Sequence, residues 1–155
     1  MGGRGLWSPQ LGRPEVSQDA PLLLDTCAAI WISDEQPITD EALDAIQRAH
    51  TAGDFIYVSP VTAWEIGLLS SRGRLTSPMS PQRWFQRLLQ APGTRLADLS
   101  PDILIASSFL PGAPPRDPAD RILAATAREY GYRLMTRDRR LLAYSAQGHV
   151  QTLVC

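Results

Sequence analysis

The sequence predicts an α/β protein: a three-layer α/β/α sandwich with a mainly parallel central sheet. Two observations point there. Short apolar or β-branched runs alternate along the chain with longer segments of helical pattern. The leading runs, Leu22-Leu23-Leu24 and Phe55-Ile56-Tyr57-Val58, are apolar at successive positions, as in strands covered on both faces. Strands alternating with helices in this way are joined in parallel by crossovers, with helices on either side.

The elements follow in order. Residues 1–20 are rich in Gly, Pro and polar side chains without an apolar period, and are expected to be a flexible leader ahead of a single domain at 21–155. Pro21 bounds the first strand, which ends at Asp25, and Thr26 to Ile32 follows as a short helix. Thr39 opens a second helix with acids in its first turn, closed by Gly53. Residues 55–58 form the second strand. Ser59-Pro60 supplies an N-cap and first helical residue for a helix to about Ser71. A further helix spans Pro81 to Gln90, and 95–99 reads as a short strand. Ser100-Pro101 starts a helix through Phe109, and 111–115 is a Pro-rich loop. Asp117-Pro118 starts a well-marked helix to Tyr130, stopped by Gly131. Tyr132 to Thr136 is a strand, Arg139 to Tyr144 a helix, and Val150 to Val154 a last strand.

The bulk numbers exclude several classes. With 155 residues the chain holds one domain with a substantial core, not two ordinary ones. Apolar residues at 44% and charged residues at 20% are those of a globular protein, which excludes disorder over most of the length. No apolar run is long enough to span a bilayer, and no apolar segment follows Arg4 and Arg13 to make a secretory signal, so a cytoplasmic location is expected. Cys27, Cys155, His50 and His149 do not have zinc-site spacing, and Cys27, in an apolar stretch, reads as a small core residue. The net charge of −1 excludes a polycation that grips nucleic acid non-specifically. All fifteen basic residues are arginine, and seven of them fall within 116–140 beside four acids. If those acids hold metal, that region turns a positive surface to phosphate; otherwise it is a solvated helix face.

In an open parallel sheet the ligand sits beyond the carboxyl ends of the strands. Asp25 and Asp138 fall at such ends, and Glu65 and Asp120 near the starts of helices, so one edge of the sheet can collect all four. Four acids at close range repel, and a hard divalent cation with oxygen ligands, Mg²⁺ or Mn²⁺, resolves the conflict. Some of these acids also have a plainer reading. Asp25 suits a helix cap. Glu65 lies too deep in its helix to cap it, on a stripe with Val61, Thr62, Leu68 and Leu69, where an acid without a partner is costly. Asp117 is the natural N-cap of the 118–130 helix. Asp120 shares a face with Leu123, Ala124 and Ala127. Asp138 is equally a turn or cap residue.

The segments LLLDT at 22–26, VSPVTAWEIGL at 58–68, DPADRILAATA at 117–127 and LMTRDRRLL at 134–142 resemble, in order, the motifs of PIN-domain ribonucleases. Within that family the resemblance is to the VapC-type toxins of bacterial toxin–antitoxin pairs, and it covers roughly 21–155. It implies an α/β/α domain, a homodimer, dependence on Mg²⁺ or Mn²⁺, cleavage of RNA, and a cognate antitoxin that blocks the cleft. Its metal-binding acids match Asp25, Glu65, Asp120 and Asp138, and the hydroxyl of its last motif matches Thr136. The leader is a departure, because members usually begin almost at the first strand.

The implied chemistry is metal-assisted hydrolysis of an RNA phosphodiester bond, leaving a 5′-phosphate and a 3′-hydroxyl. Asp25, Glu65 and Asp120 are then the main ligands, and Asp138 acts directly or through water, oriented by Thr136. Arg121, Arg137 and Arg139 are candidates to grip the RNA backbone, with surface ion pairs as the alternative. Two rivals remain. A phospho-aspartate enzyme wants a second Asp two residues after the first, where Cys27 stands. A catalytically silent module would keep the fold and bind only an antitoxin or RNA. Trp64, Trp84, Phe85, Leu88 and Leu89 are expected mostly in the core, with a remainder available to an antitoxin helix or a dimer contact.

Overall fold

The computed structural model describes residues 20–155, so the expected leader at 1–20 lies, but for its last residue, outside the described residues. The elements run β1 (Leu22–Leu24), α1 (Thr26–Ser33), α2 (Asp40–Ala52), β2 (Ile56–Val58), α3 (Pro60–Ser71), α4 (Pro81–Gln90), β3 (Thr94–Leu96), α5 (Pro101–Ala106), α6 (Pro118–Tyr130), β4 (Arg133–Thr136), α7 (Arg139–Ala146) and β5 (Gln151–Val154). The helices start where capping chemistry directs. Thr39, Ser59, Ser100 and Asp117 each accept a backbone N–H of the first turn. Gly53 and Gly131 close α2 and α6 at φ 73° and 69°, a conformation glycine adopts without a Cβ penalty.

The five strands form one parallel sheet in the order β3-β2-β1-β4-β5. Alternation along the strands divides the core into two layers. Leu22, Leu24, Ile56, Val58, Met135 and Leu153 pack with α1, α2, α3 and α4 on one face. Leu23 and Leu134 pack with Leu123, Ala124 and Ala127 of α6 and with Leu141 and Tyr144 of α7 on the other. Each such leucine, fully removed from water, contributes roughly 2–3 kcal/mol before entropy is counted. This is the three-layer sandwich that the alternation of elements predicts.

Two elements differ most from expectation. The third strand is Thr94–Leu96 rather than 95–99, because β3 pairs with β2 over only three residues before Ala97 N–H makes a last bond to Val58 O at 2.8 Å. Helix α5 ends at Ala106 rather than Phe109. The carbonyls of Ser107 and Ser108 accept from Arg121 instead of continuing a helix, and Pro111 biases the residue before it toward extended backbone.

The sheet order places β1 at the point where the chain switches direction. From β1 it steps to β2 and β3 on one side, then crosses to β4 and β5 on the other. A ligand site is therefore expected beyond the carboxyl ends of β1 and β4.

Candidate active site

Asp25 is the first residue past β1. It is 5% exposed, and its Oδ1 accepts the N–H of Ala28 at 2.7 Å, so it does cap α1. Its Oδ2 accepts the hydroxyl of Thr136 at 2.5 Å. Asp138 stands exposed two residues past β4, where Oδ1 accepts Arg140 N–H at 2.9 Å and Leu141 N–H at 3.0 Å to cap α7. Both acids thus cap a helix that begins past the carboxyl end of a strand.

Glu65 reaches the same place from the second turn of α3. It is half-buried, and its Oε1 accepts the hydroxyl of Thr26 at 2.5 Å. Asp120 sits half-buried in the first turn of α6. That helix runs back toward the start of β4, so its N-terminus lies at the carboxyl edge of the sheet. Asp117 caps α6, its Oδ1 accepting Asp120 N–H at 3.0 Å, as its position before Pro118 predicts.

These acids feel one another's charge. Burial raises Asp120, and the charges of Asp117, Asp138, Glu65 and Asp25 add to it, pushing its carboxyl up to about 7. Burial also raises Asp25, opposed by the Thr136 and Ala28 hydrogen bonds and reinforced by Asp138. Glu65 is raised by burial, opposed by Thr26 and reinforced by Asp117 and Asp25. No basic side chain is among the causes of these three shifts.

Such a site holds its carboxylates ionised only at a cost, which a hard divalent cation would relieve. Among the described residues, no three Asp, Glu, His or Cys side chains form a ready-made cage. Mg²⁺ and Mn²⁺ suit that arrangement, since Mg²⁺ keeps several waters and takes only one or two carboxylates directly. The oxygen-rich donor set and the mutual repulsion of the acids both fit a hard cation.

Several expectations change. Thr136 is fully buried; its hydroxyl donates to Asp25 Oδ2 and accepts the backbone N–H of Asp138 at 2.9 Å, so it meets Asp138 through the backbone and not through the carboxylate. Arg121 donates to the carbonyls of Ser107 at 2.9 Å, Pro115 at 3.1 Å and Ser108 at 3.3 Å, which ties the 107–115 loop to α6. Arg137 lies over the Trp31 ring at 4.1 Å and donates to Pro37 O at 2.6 Å and to Cys155 O. Arg139 is exposed at the start of α7.

Cys27 was expected in the core and is exposed instead, two positions into α1. Its thiol is pushed up to about 11 by partial burial in the cleft and by Asp25, Glu65, Asp120 and Asp138. The apolar stretch around it concealed this, because its neighbours Ala28 and Ala29 face the core while position 27 does not. Thr26 was also missed as the partner of Glu65, and Thr62 as a contact of Thr26. Of the aromatic and leucine positions, Trp84 and Leu88 are core and Phe85 and Leu89 partly buried, whereas Trp64 is 52% exposed.

Comparison with known proteins matches residues 22–146 to the PIN domain family. The chain is 35% identical over 124 residues to Ribonuclease VapC22 of Mycobacterium tuberculosis, covering 79% of this chain and 91% of that relative. Among solved structures it is similar to VapBC2 from Rickettsia felis bound to a DNA fragment from their promoter, with TM-score 0.60 and 12% identity over 86% of this chain and 97% of that one. It is similar also to FitAcB from Neisseria gonorrhoeae, with TM-score 0.50 and 22% identity over 85% and 96%. At those identities the two structures establish the fold alone.

Proposed function

This chain belongs to the PIN-domain family, and from that premise we propose that it is a metal-dependent endoribonuclease, the toxin of a toxin–antitoxin pair. The observation that carries the reading is that Asp25, Glu65 and Asp120 are each raised by burial and by the charges of neighbouring acids. Support for RNA as substrate comes from the relative named Ribonuclease VapC22.

Asp25, Glu65 and Asp120 would hold one or two Mg²⁺ or Mn²⁺ ions, partly through bound waters, with Asp138 directly or through water. The bound cation would neutralise phosphate charge and acidify a water for in-line attack on the phosphodiester. The chain itself supplies orientation: Thr136 holds Asp25, Thr26 holds Glu65, and the Asp117 cap fixes the first turn that carries Asp120. Arg139, exposed beside Asp138, is the arginine of the three best placed to meet a backbone phosphate.

An antitoxin and a second copy of the chain are the proposed protein partners, on the VapC resemblance. Trp64 on α3, Leu104 and Ile105 on α5, and Phe109 just beyond it are exposed at 52%, 42%, 60% and 81%, surfaces of the kind that partner chains cover. Among the described residues no helix is long and apolar enough to cross a membrane.

The test is cleavage of total cellular RNA by the purified chain with Mg²⁺ or Mn²⁺, with EDTA and Asp25→Asn as controls. Discrete fragments lost in both controls are expected. Equal cleavage by Asp25→Asn would remove the assignment, and no cleavage with any metal by a folded chain would favour a silent binding module.

A further inference from the structure

We propose that Thr62 and Thr26 form a buried chain of hydroxyls that orients Glu65, making both threonines positioning residues of the carboxylate site. The inference rests on the reading of that cleft as the metal site. Thr62 is fully buried in the first turn of α3 and Thr26 is 6% exposed at the first position of α1. Thr26 Oγ1 lies 2.5 Å from Glu65 Oε1 and 3.2 Å from Thr62 Oγ1, so it stands between them.

Proton counting gives the chain a direction. A hydroxyl carries one proton, and an ionised carboxylate only accepts. Thr26 therefore donates to Glu65, and Thr62 donates to Thr26. Thr62 and Glu65 are three residues apart on one helical face, whereas Thr26 arrives from another element, 36 and 39 residues away. The contact consequently sets the distance of α3 from the residue that follows Asp25.

Thr62 also departs from what a buried helical threonine ordinarily does. Thr126, equally buried in α6, donates to the carbonyl of Ile122 in its own helix at 2.7 Å. The only contact of the Thr62 hydroxyl among the hydrogen bonds of the described residues is with Thr26. Glu65 has a long side chain with several rotamers, and fixing Oε1 through Thr26 limits them while Oε2 takes no part in the contact. Outer partners of this kind orient metal-binding carboxylates, and their loss typically weakens metal binding about 10- to 100-fold.

The test is calorimetric titration of the full chain with Mn²⁺, beside thermal unfolding in EDTA. Thr26→Val and Thr62→Val are expected to fold and to bind Mn²⁺ roughly 10- to 100-fold more weakly, with Thr26→Ser and Thr62→Ser restoring wild-type affinity. Should a valine variant fail to fold, Thr26→Ala or Thr62→Ala takes its place. In a Glu65→Ala background the same substitutions should cost nothing further, since the threonines act through Glu65. Folded variants that bind like wild type, or that lose as much without Glu65 as with it, would overturn the proposal. A wild-type chain that binds no Mn²⁺ at all would overturn the metal reading and the proposal with it, a result recognisable before any variant is made.

Discussion

The hydroxyl of Thr136 donates to Oδ2 of Asp25 at 2.5 Å, joining the ends of two neighbouring parallel strands inside the protein. The same oxygen accepts the N–H of Asp138, so one buried side chain sets two acids of the cleft. Thr136→Val keeps the shape and removes both contacts. It is expected to cost about 1.5–3 kcal/mol, the range for a hydrogen bond to a charged group, while Thr136→Ser stays close to wild type in urea unfolding. Equal midpoints for the valine and serine variants would show that the hydroxyl contributes little.

Asp25→Asn removes one of the mutually repelling charges and leaves an oxygen for the Ala28 cap. RNA cleavage is expected to fall to background while the chain stays folded, with a melting temperature in EDTA within about 5–10 °C of wild type. A large drop in that temperature would mean that Asp25 serves the fold more than the site.

The raised acids make stability depend on pH in a definite direction. Asp120 has an ordinary value of 3.8 and stands at about 7 in the folded chain, so the folded state holds that proton more tightly than the unfolded one. Its contribution is fully present below about 4 and is lost as pH rises through about 7. Melting temperature in EDTA should therefore decline across that interval, and Mn²⁺ should flatten the decline by favouring the ionised acids. A profile that rises with pH in EDTA would contradict the electrostatics of the cleft.

Arg121→Ala separates a loop-holding role from phosphate binding. Loss of three charge-assisted bonds to the 107–115 loop should destabilise the chain by roughly 2–3 kcal/mol, discounted for partial exposure. RNA affinity measured on a cleavage-dead background should keep its salt dependence. A shallower salt slope at unchanged stability would return Arg121 to phosphate binding.

Cys27 reports on the same field. With its thiol at about 11 rather than 9.0, alkylation by iodoacetamide at pH 8 should run about 100-fold slower than for a free cysteine, because only the thiolate reacts. Asp120→Asn should speed it. A wild-type rate equal to that of free cysteine would place the thiol outside the influence of the acids.

Local chemistry in the sequence determined most of the elements and the positions of the acids along them. Apolar runs marked the strands, Ser59-Pro60 and Asp117-Pro118 marked helix starts, and Gly53 and Gly131 marked helix ends, because capping and backbone freedom act within about one turn. The rule for parallel sheets then put Asp25 and Asp138 at one edge. What those groups touch was decided only by the tertiary structure. Thr26 meets Glu65 across 39 residues and Thr136 meets Asp25 across 111, separations at which no helical or strand period relates one residue to another. The same limit hid the exposure of Cys27 and the carbonyls that occupy Arg121 and Arg137. A side chain's type states which bonds it can make, and the packing of the layers chooses among them.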